Sequence, residues 1–325
     1  MKEHVFIAVD SGKYATKAIM KYKGKTHIMM FRTKMQEVSD MGVEIQPNSF
    51  KAEFEGKQYL LGDMVSENQS DFNLSKETLI HKMAIYTTIV ELMKKTNAYF
   101  HNVHLHVAVN VPINVYKTRT LKDSFKEFIE NENKTIYFRI NENSHVFSLN
   151  DVTICFEGMG TVYANTEEHL KYTSAVVDIG GLNTTYCTFN GIQPDFNSMT
   201  VSHLGMNALK AKLEQELLQK YNQNVSANDL ERIIQKGFFT HMGKIDENSR
   251  ILIEKTKENH LEQILNYAKQ HSYTFNQDKI YFTGGGSLLL QNEIKRSFPH
   301  ATLVINPQFA NVKSFLEIIK VKYTT

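Results

Sequence analysis

VFIAVDSGKYATKAIMKY, residues 5–22, runs five apolar or small residues into Asp10, turns through Ser11 and Gly12, and re-enters an apolar run. A bare hairpin does not need Asp10, Ser11, Gly12, Lys13 and Lys17 crowded at one turn. Glycine lets backbone N–H groups approach an anion, because no Cβ stands in the way. Lysine adds a point charge suited to phosphate. An aspartate beside a phosphate repels it unless a divalent cation lies between them, and Mg²⁺ accepts one or two such carboxylates readily. The stretch predicts a strand, a phosphate-binding turn and a second strand.

Two later turns share its features. In YTSAVVDIGGLNTTYCTFNGIQPDFNSMTVS, residues 172–202, a strand ends on Asp178, turns through Gly180, Gly181, Leu182 and Asn183, and is followed by two more strands. Residues 5–32 and 172–202 therefore follow one grammar without visible identity, which implies two similar halves. In DKIYFTGGGSLLLQNEIKRSF, residues 278–298, a strand meets Gly284, Gly285, Gly286 and Ser287 and passes into a helix. Taken alone, Asp-Ser-Gly is an ordinary hairpin turn and the triple glycine an ordinary strand-to-helix turn. In this order, inside a repeated strand pattern, the three together argue for a nucleotide. Asp10 and Asp178 are the expected Mg²⁺ ligands.

The rest of the chain is consistent with two soluble domains. Its 325 residues, 42% hydrophobic and 22% charged with a net charge of +2, are enough for two cores and offer no basic surface for wrapping DNA or coating a membrane. Cys155 and Cys187 sit in apolar runs and read as buried reduced thiols. The opening MKEHVFIAVD meets a carboxylate after a very short apolar run and does not read as a signal peptide, and no run approaches the ~20 apolar residues of a spanning helix. A cytoplasmic protein is expected. Hydrophobic spacing predicts helices at 76–97, 117–130, 206–221, 227–236, 247–271 and 310–322, strands at 104–112 and 301–305, short strands between 134 and 156, and a hairpin over 50–63 turning at Glu55-Gly56.

The three turns resemble the two phosphate loops and the adenosine loop of the actin, sugar-kinase and heat-shock ATPase superfamily. Within it, EFEGKQYLLGD (53–63), HVAVNVPINVY (106–116), FEGMGTVYAN (156–165) and NPQFANVKSF (306–315) are similar to the bacterial plasmid-segregation actins of the ParM or StbA type. The resemblance implies an α/β, actin-like duplicated ribonuclease-H-type fold with two lobes and a central nucleotide cleft. Lobe I would comprise 1–157 with 308–325, its small variable subdomain near 36–75. Lobe II would comprise 158–307, with a helical small subdomain near 203–270. It also implies a filament-forming ATPase taking ATP or ADP (GTP is possible) with Mg²⁺, whose lobe angle and assembly follow the nucleotide state. Glu157 matches the glutamate that positions the attacking water, and Asp178 is the second catalytic candidate. Lys212 and Glu214 are possible matches to a purine-contacting pair, with Lys210 nearly as good. A small DNA-binding adaptor of the ParR kind is the implied partner, with DNA contacted only indirectly and no membrane.

The sequence departs from that pattern at Leu182-Asn183-Thr184-Thr185, where a threonine often directly follows the glycines. Two rivals stand beside the filament reading: a small-molecule kinase on the same scaffold, and a weakly hydrolysing nucleotide-gated scaffold. A Walker reading of Gly12-Lys13 fails, because no glycine lies five positions before the pair. His101, His104 and His106 offer a zinc pattern with no neighbouring carboxylate in sequence, and a wet strand edge accounts for them equally. Met20, Met29, Met30, Met35 and Met41 read as core filling. The charged helix at 247–271 reads as a solvated face or a polymer contact.

Overall fold

The computed structural model describes residues 2–39, 42, 44–69 and 75–324. The chain divides into two compact units, Met1–Asn165 with Phe309–Thr325, and Thr166–Gln308. Among the described residues no helix is long and apolar enough to cross a membrane.

The first unit is built on a five-stranded sheet. Its order is Val152–Phe156, Val103–Val111, Glu3–Ser11, Ala15–Tyr22, Lys25–Arg32. The last three form the antiparallel meander expected from the opening stretch, with Asp10 directly opposite Lys17. The first three are parallel: Val9 pairs with Val109, and Cys155 with Asn110. The C-terminal ends of three parallel strands therefore carry Asp10, Asn110 and, one residue past the last strand, Glu157. That edge is where open α/β sheets place ligands.

Helix Leu79–Lys95 packs against this sheet. It is buried almost all round, including the polar His81, Lys82, Thr87 and Thr88, whereas Leu79 at its start is exposed. Its other neighbour is a second, antiparallel sheet ordered Met35–Glu37, Lys57–Gly62, Ser49–Phe54, Ile136–Ile140, Asn143–Phe147. The small sheet thus borrows a hairpin from 136–147 as well as using strands between 35 and 62; residues 40, 41, 43 and 70–74 of the range 36–75 lie outside the described residues. Glu55 and Gly56 turn its first hairpin with φ of 51° and 76°, the left-handed pair that a two-residue hairpin turn requires. Tyr86 meets Phe54, Phe138 and Phe147 edge-on at 5.8–5.9 Å and donates its hydroxyl to the Ile129 carbonyl at 2.9 Å. One core therefore holds helix and both sheets.

In the second unit Thr173–Ile179 pairs antiparallel with Thr184–Asn190 and parallel with Lys279–Thr283. This repeats the first unit's arrangement, with Asp178 opposite Thr185 where Asp10 is opposite Lys17. Helices Met206–Tyr221, Ala227–Lys236 and Glu247–Gln270 cover it. Ser226 and Asp246 cap the last two, accepting from the amides of Asp229 and Asn248, and Gly237 closes the middle one at φ 73°. The long helix is half-buried: Ile253, Thr256, His260, Ile264 and Ala268 form one helical stripe.

Several expectations change. The helix after the glycines breaks at Leu290 into Gly285–Leu289 and Gln291–Ser297. Met20 and Met29 are buried, but Met30 is 39% exposed on the edge strand and Met35 is half-buried; Met41 lies outside the described residues. His106 is not at a wet edge. It is buried on an internal strand, and Asp151, distant in sequence, meets its Nδ1 at 2.8 Å. Among the described residues no group of three His, Cys, Asp or Glu side chains is arranged to hold a metal ion. Cys155 and Cys187 are both buried, and neither is in a disulfide.

Candidate functional site

In the first unit the parallel strand ends gather a charged cluster. Asp10 is 6% exposed and Asn110 1%. The Asn110 amide donates to Asp10 Oδ1 at 2.7 Å and to Glu157 Oε1 at 3.3 Å. Lys76, 3% exposed, places Nζ 2.7 Å from Glu157 Oε1 and 3.9 Å from Asp10 Oδ1. The first is a close ion pair whose angle falls short of an aligned hydrogen bond. Lys17 approaches Asp10 Oδ2 to 3.8 Å across the hairpin. Two carboxylates thus face two ammonium groups, which is how buried charge is tolerated.

The other residues of the opening turn are held by their neighbours. Lys13 donates to the Ser75 carbonyl at 2.8 Å, fixing the segment that carries Lys76. Ser11 Oγ lies 2.8 Å from His81 Nδ1, and 3.5 Å from Thr16 Oγ1. Burial, reinforced by the charges of Lys13 and Lys76, holds His81 well below the usual histidine range, so it is neutral. A Cβ on Gly12 would meet the Ala15 carbonyl oxygen at 2.9 Å, which makes glycine a requirement of the turn itself.

In the second unit Asp178 is the penultimate residue of its strand and 8% exposed. The following loop is tied down by its backbone. Gly180 N–H donates to Asn183 O at 2.8 Å, while Gly180 O and Gly181 O accept from Met206 N and Asn207 N at 3.0 and 2.8 Å. The first amides of helix Met206–Tyr221 are therefore satisfied by the loop's carbonyls. Gly205 allows this, since a Cβ there would lie 2.4 Å from the Leu182 carbonyl carbon. Gly180, Gly181, Leu182 and Asn183 are all half-buried.

The triple glycine divides by role. Gly284 has φ of 81°, and its missing Cβ faces Asp178. Gly286 is pressed against Ile179, with 2.3 Å between a built Cβ and Cγ2. Gly285 has nothing within 4 Å of its Cβ direction, so it is the glycine whose surroundings are open. Ser287 donates to the Gly284 carbonyl at 2.8 Å and closes the turn. The helix that follows has only five residues, so its dipole adds little for an anion.

Lys212 and Glu214 lie farther along helix Met206–Tyr221. They flank buried Leu213 on the exposed side of their helix, and Lys212 pairs with Glu216 at 3.5 Å. They lie about 9 and 12 Å along the axis from Met206, where the helix meets the loop. Lys210 is half-buried and pairs with Glu231 at 3.1 Å.

Asn110, Lys76 and His81 were not among the residues singled out from the sequence. Asn110 carried a signal, being the lone polar residue in VAVNVP, residues 107–112. Lys76 and His81 carried none, because their partners lie 66 or more positions away.

Two family models match the sequence: the N-terminal domain of actin-like proteins over residues 8–160, and the C-terminal domain of the archaeal, MreB-like actin homologue over 176–296. No curated protein matches significantly. Among solved structures, a 15-stranded ParM filament from Clostridium botulinum aligns with TM-score 0.79 at 16% identity, covering 98% of this chain and 99% of that one. The filament protein Alp12 aligns with TM-score 0.72 at 25% identity, covering 99% of both chains. The archaeal actin homologue Ta0583, in complex with ADP, aligns with TM-score 0.71 at 18% identity, covering 97% and 99%.

Proposed function

We propose, from the premise that the chain belongs to the actin-like proteins, that it is a filament-forming ATPase whose assembly follows its nucleotide state. The observation that carries this reading is the cluster of Asp10, Asn110, Glu157, Lys17 and Lys76 at the ends of parallel strands. That donor set fits a polyphosphate accompanied by Mg²⁺. Hard carboxylate oxygens suit the ion, and a cation brought by its own phosphates needs only one or two of them. Ammonium groups now facing carboxylates supply charge for phosphate oxygens.

Asp10 in the first unit, and separately Asp178 in the second, are each a residue that would ligate Mg²⁺, whose chemistry is to neutralise charge on the phosphate oxygens. Glu157 orients the attacking water and accepts its proton late. Lys17 and Lys13 steady the opening loop, and the turn at 180–183 offers its backbone to phosphate. Gly285 is the position where the third loop admits close approach of a ligand. Lys212 and Glu214 remain candidates for the base only if the helix surface that bears them is reached by the purine.

The solved relatives support the filament part of the reading, since a ParM and Alp12 are filaments, and an archaeal relative takes ADP. Self-association of this chain, and a role in moving DNA through a small DNA-binding adaptor, extend that reading. The test is electron microscopy and pelleting of the purified protein with Mg·ATP, with Mg·ADP and without nucleotide. Polymer sustained by ATP and lost with ADP is expected. Absence of both polymer and nucleotide binding overturns the reading.

A further inference from the structure

We infer that Asn110 is a positioning residue for Glu157, its side-chain amide setting the spacing between Glu157 and Asp10. The inference rests on the ATPase reading of this site. An NH2 group has two hydrogens, so one asparagine can serve two acceptors. Here both acceptors are carboxylate oxygens, at 2.7 and 3.3 Å. Turning the amide over would set Oδ1 against two anionic oxygens, so its neighbours dictate its orientation.

The asparagine is a poor choice for stability alone. Its strand reads Val107, Ala108, Val109, Asn110, Val111, all buried, and Asn110 Oδ1 is buried without a hydrogen-bond partner. An apolar side chain would pack there without leaving a carbonyl unsatisfied. What it could not do is donate to two carboxylates at once.

Glu157 has particular need of such a contact. It lies one residue beyond the strand Val152–Phe156, next to Gly158 at φ 90°, so the sheet does not hold its backbone. Lys76 also meets Oε1, but through a long, flexible stem. Asn110 is short and rises from an internal strand. Precise placement of a water-orienting group matters because small misplacements lower rates steeply.

The test separates positioning from folding and from the parent reading. Nucleotide affinity and single-turnover ATP cleavage are measured for wild type, Asn110→Ala, Asn110→Ser, Glu157→Ala and the double variant Asn110→Ala with Glu157→Ala. Cleavage per bound nucleotide should fall roughly 10- to 100-fold in Asn110→Ala, the range spanned by a hydrogen bond to a charged group. Asn110→Ser, which keeps one donor, should recover part of the loss. Affinity should change far less than cleavage. In the Glu157→Ala background the Asn110→Ala change should cost far less than in wild type, because only its bond to Asp10 is then left to lose. Multiplicative losses, or a cleavage rate in Asn110→Ala within threefold of wild type, overturn the inference. A wild-type protein that binds no nucleotide and cleaves none overturns the ATPase reading itself, which is a different result.

Discussion

A methyl group on Gly284 would lie 2.3 Å from Oδ1 of Asp178 and 2.4 Å from the carbonyl oxygen of Ile179. Real Cβ atoms do not approach oxygen so closely, and the φ of 81° at Gly284 disfavours any side chain. The glycine is there so that the third loop can seat against the strand end carrying the aspartate. Gly285, one residue on, is open.

Gly284→Ala and Gly286→Ala should therefore lower stability without ligand by about 2 kcal/mol or more, as overpacking against backbone or a buried side chain does. Gly285→Ala should leave stability within about 0.5 kcal/mol and instead weaken nucleotide binding. Urea unfolding without nucleotide, set beside a binding titration, checks both. A Gly284→Ala protein as stable as wild type would show that the third loop is not seated on Asp178.

Lys76 faces two carboxylates, so removing it should hurt more than removing either one. Lys76→Met strands Glu157 beside Asp10 without their shared ammonium, and breaking a buried pair from one side costs about 3 kcal/mol. Adding Glu157→Gln to Lys76→Met should return much of that loss, because the stranded charge is gone. Denaturant midpoints for the two single variants and the double variant measure the coupling. Strictly additive losses would mean that the 2.7 Å contact contributes nothing to the fold.

Acid should weaken the second unit through His260. The side chain is 5% exposed, and burial depresses its pKa from 6.5 to about 4 against the opposing effect of a hydrogen bond to the Gly205 backbone. Between pH 6.5 and about 4 the unfolded chain takes up a proton that the folded chain refuses. Stability is therefore complete above pH 6.5 and falls as pH drops through that window, by about 2 kcal/mol at pH 5. His169, also in the second unit, is shifted in the same direction, chiefly by burial, and steepens the loss; His81, His106 and His145 are shifted likewise in the first unit. Melting of His260→Asn should drop less between pH 7.5 and pH 5 than melting of wild type. An equal drop in both would remove His260 from the acid response.

Local pattern made the strands, both aspartate turns, the long helices and the Glu55-Gly56 turn legible, because period and turn chemistry act over a few residues. Glycine at 284 and 286 was legible as a requirement, but the reason was not. It is contact with Ile179, more than a hundred residues earlier, and not access for an anion. Asn110, Lys76 and the Asp151 partner of His106 are products of strand order, which no local window contains. The register of Lys212 and Glu214 was not legible, because one helical turn decides which face a residue occupies. Their side chains lie on the exposed one.

The terminal helix Ala310–Thr324 fastens the strand that leads to Glu157 at both ends. At one end the Tyr323 hydroxyl donates to Asp151, its ring stacks on His106 at 4.1 Å, and Lys322 donates to Thr153 Oγ1 at 3.0 Å. At the other, Asn311 Oδ1 accepts the Gly158 amide at 3.3 Å, and a Cβ on Gly160 would lie 2.5 Å from the Ala310 carbonyl carbon. The two ends should respond differently. Tyr323→Phe keeps the stacking and loses one hydrogen bond to a carboxylate, about 1–2 kcal/mol for a partly exposed group. Gly160→Ala forces two backbones apart and should cost more, about 2–3 kcal/mol. Both should also slow ATP cleavage, since Glu157 sits between the two attachments in sequence. Urea midpoints and single-turnover rates for the pair decide it. Gly160→Ala with wild-type stability would mean that the helix is not packed against residues 158–160, and the coupling to Glu157 would fall with it.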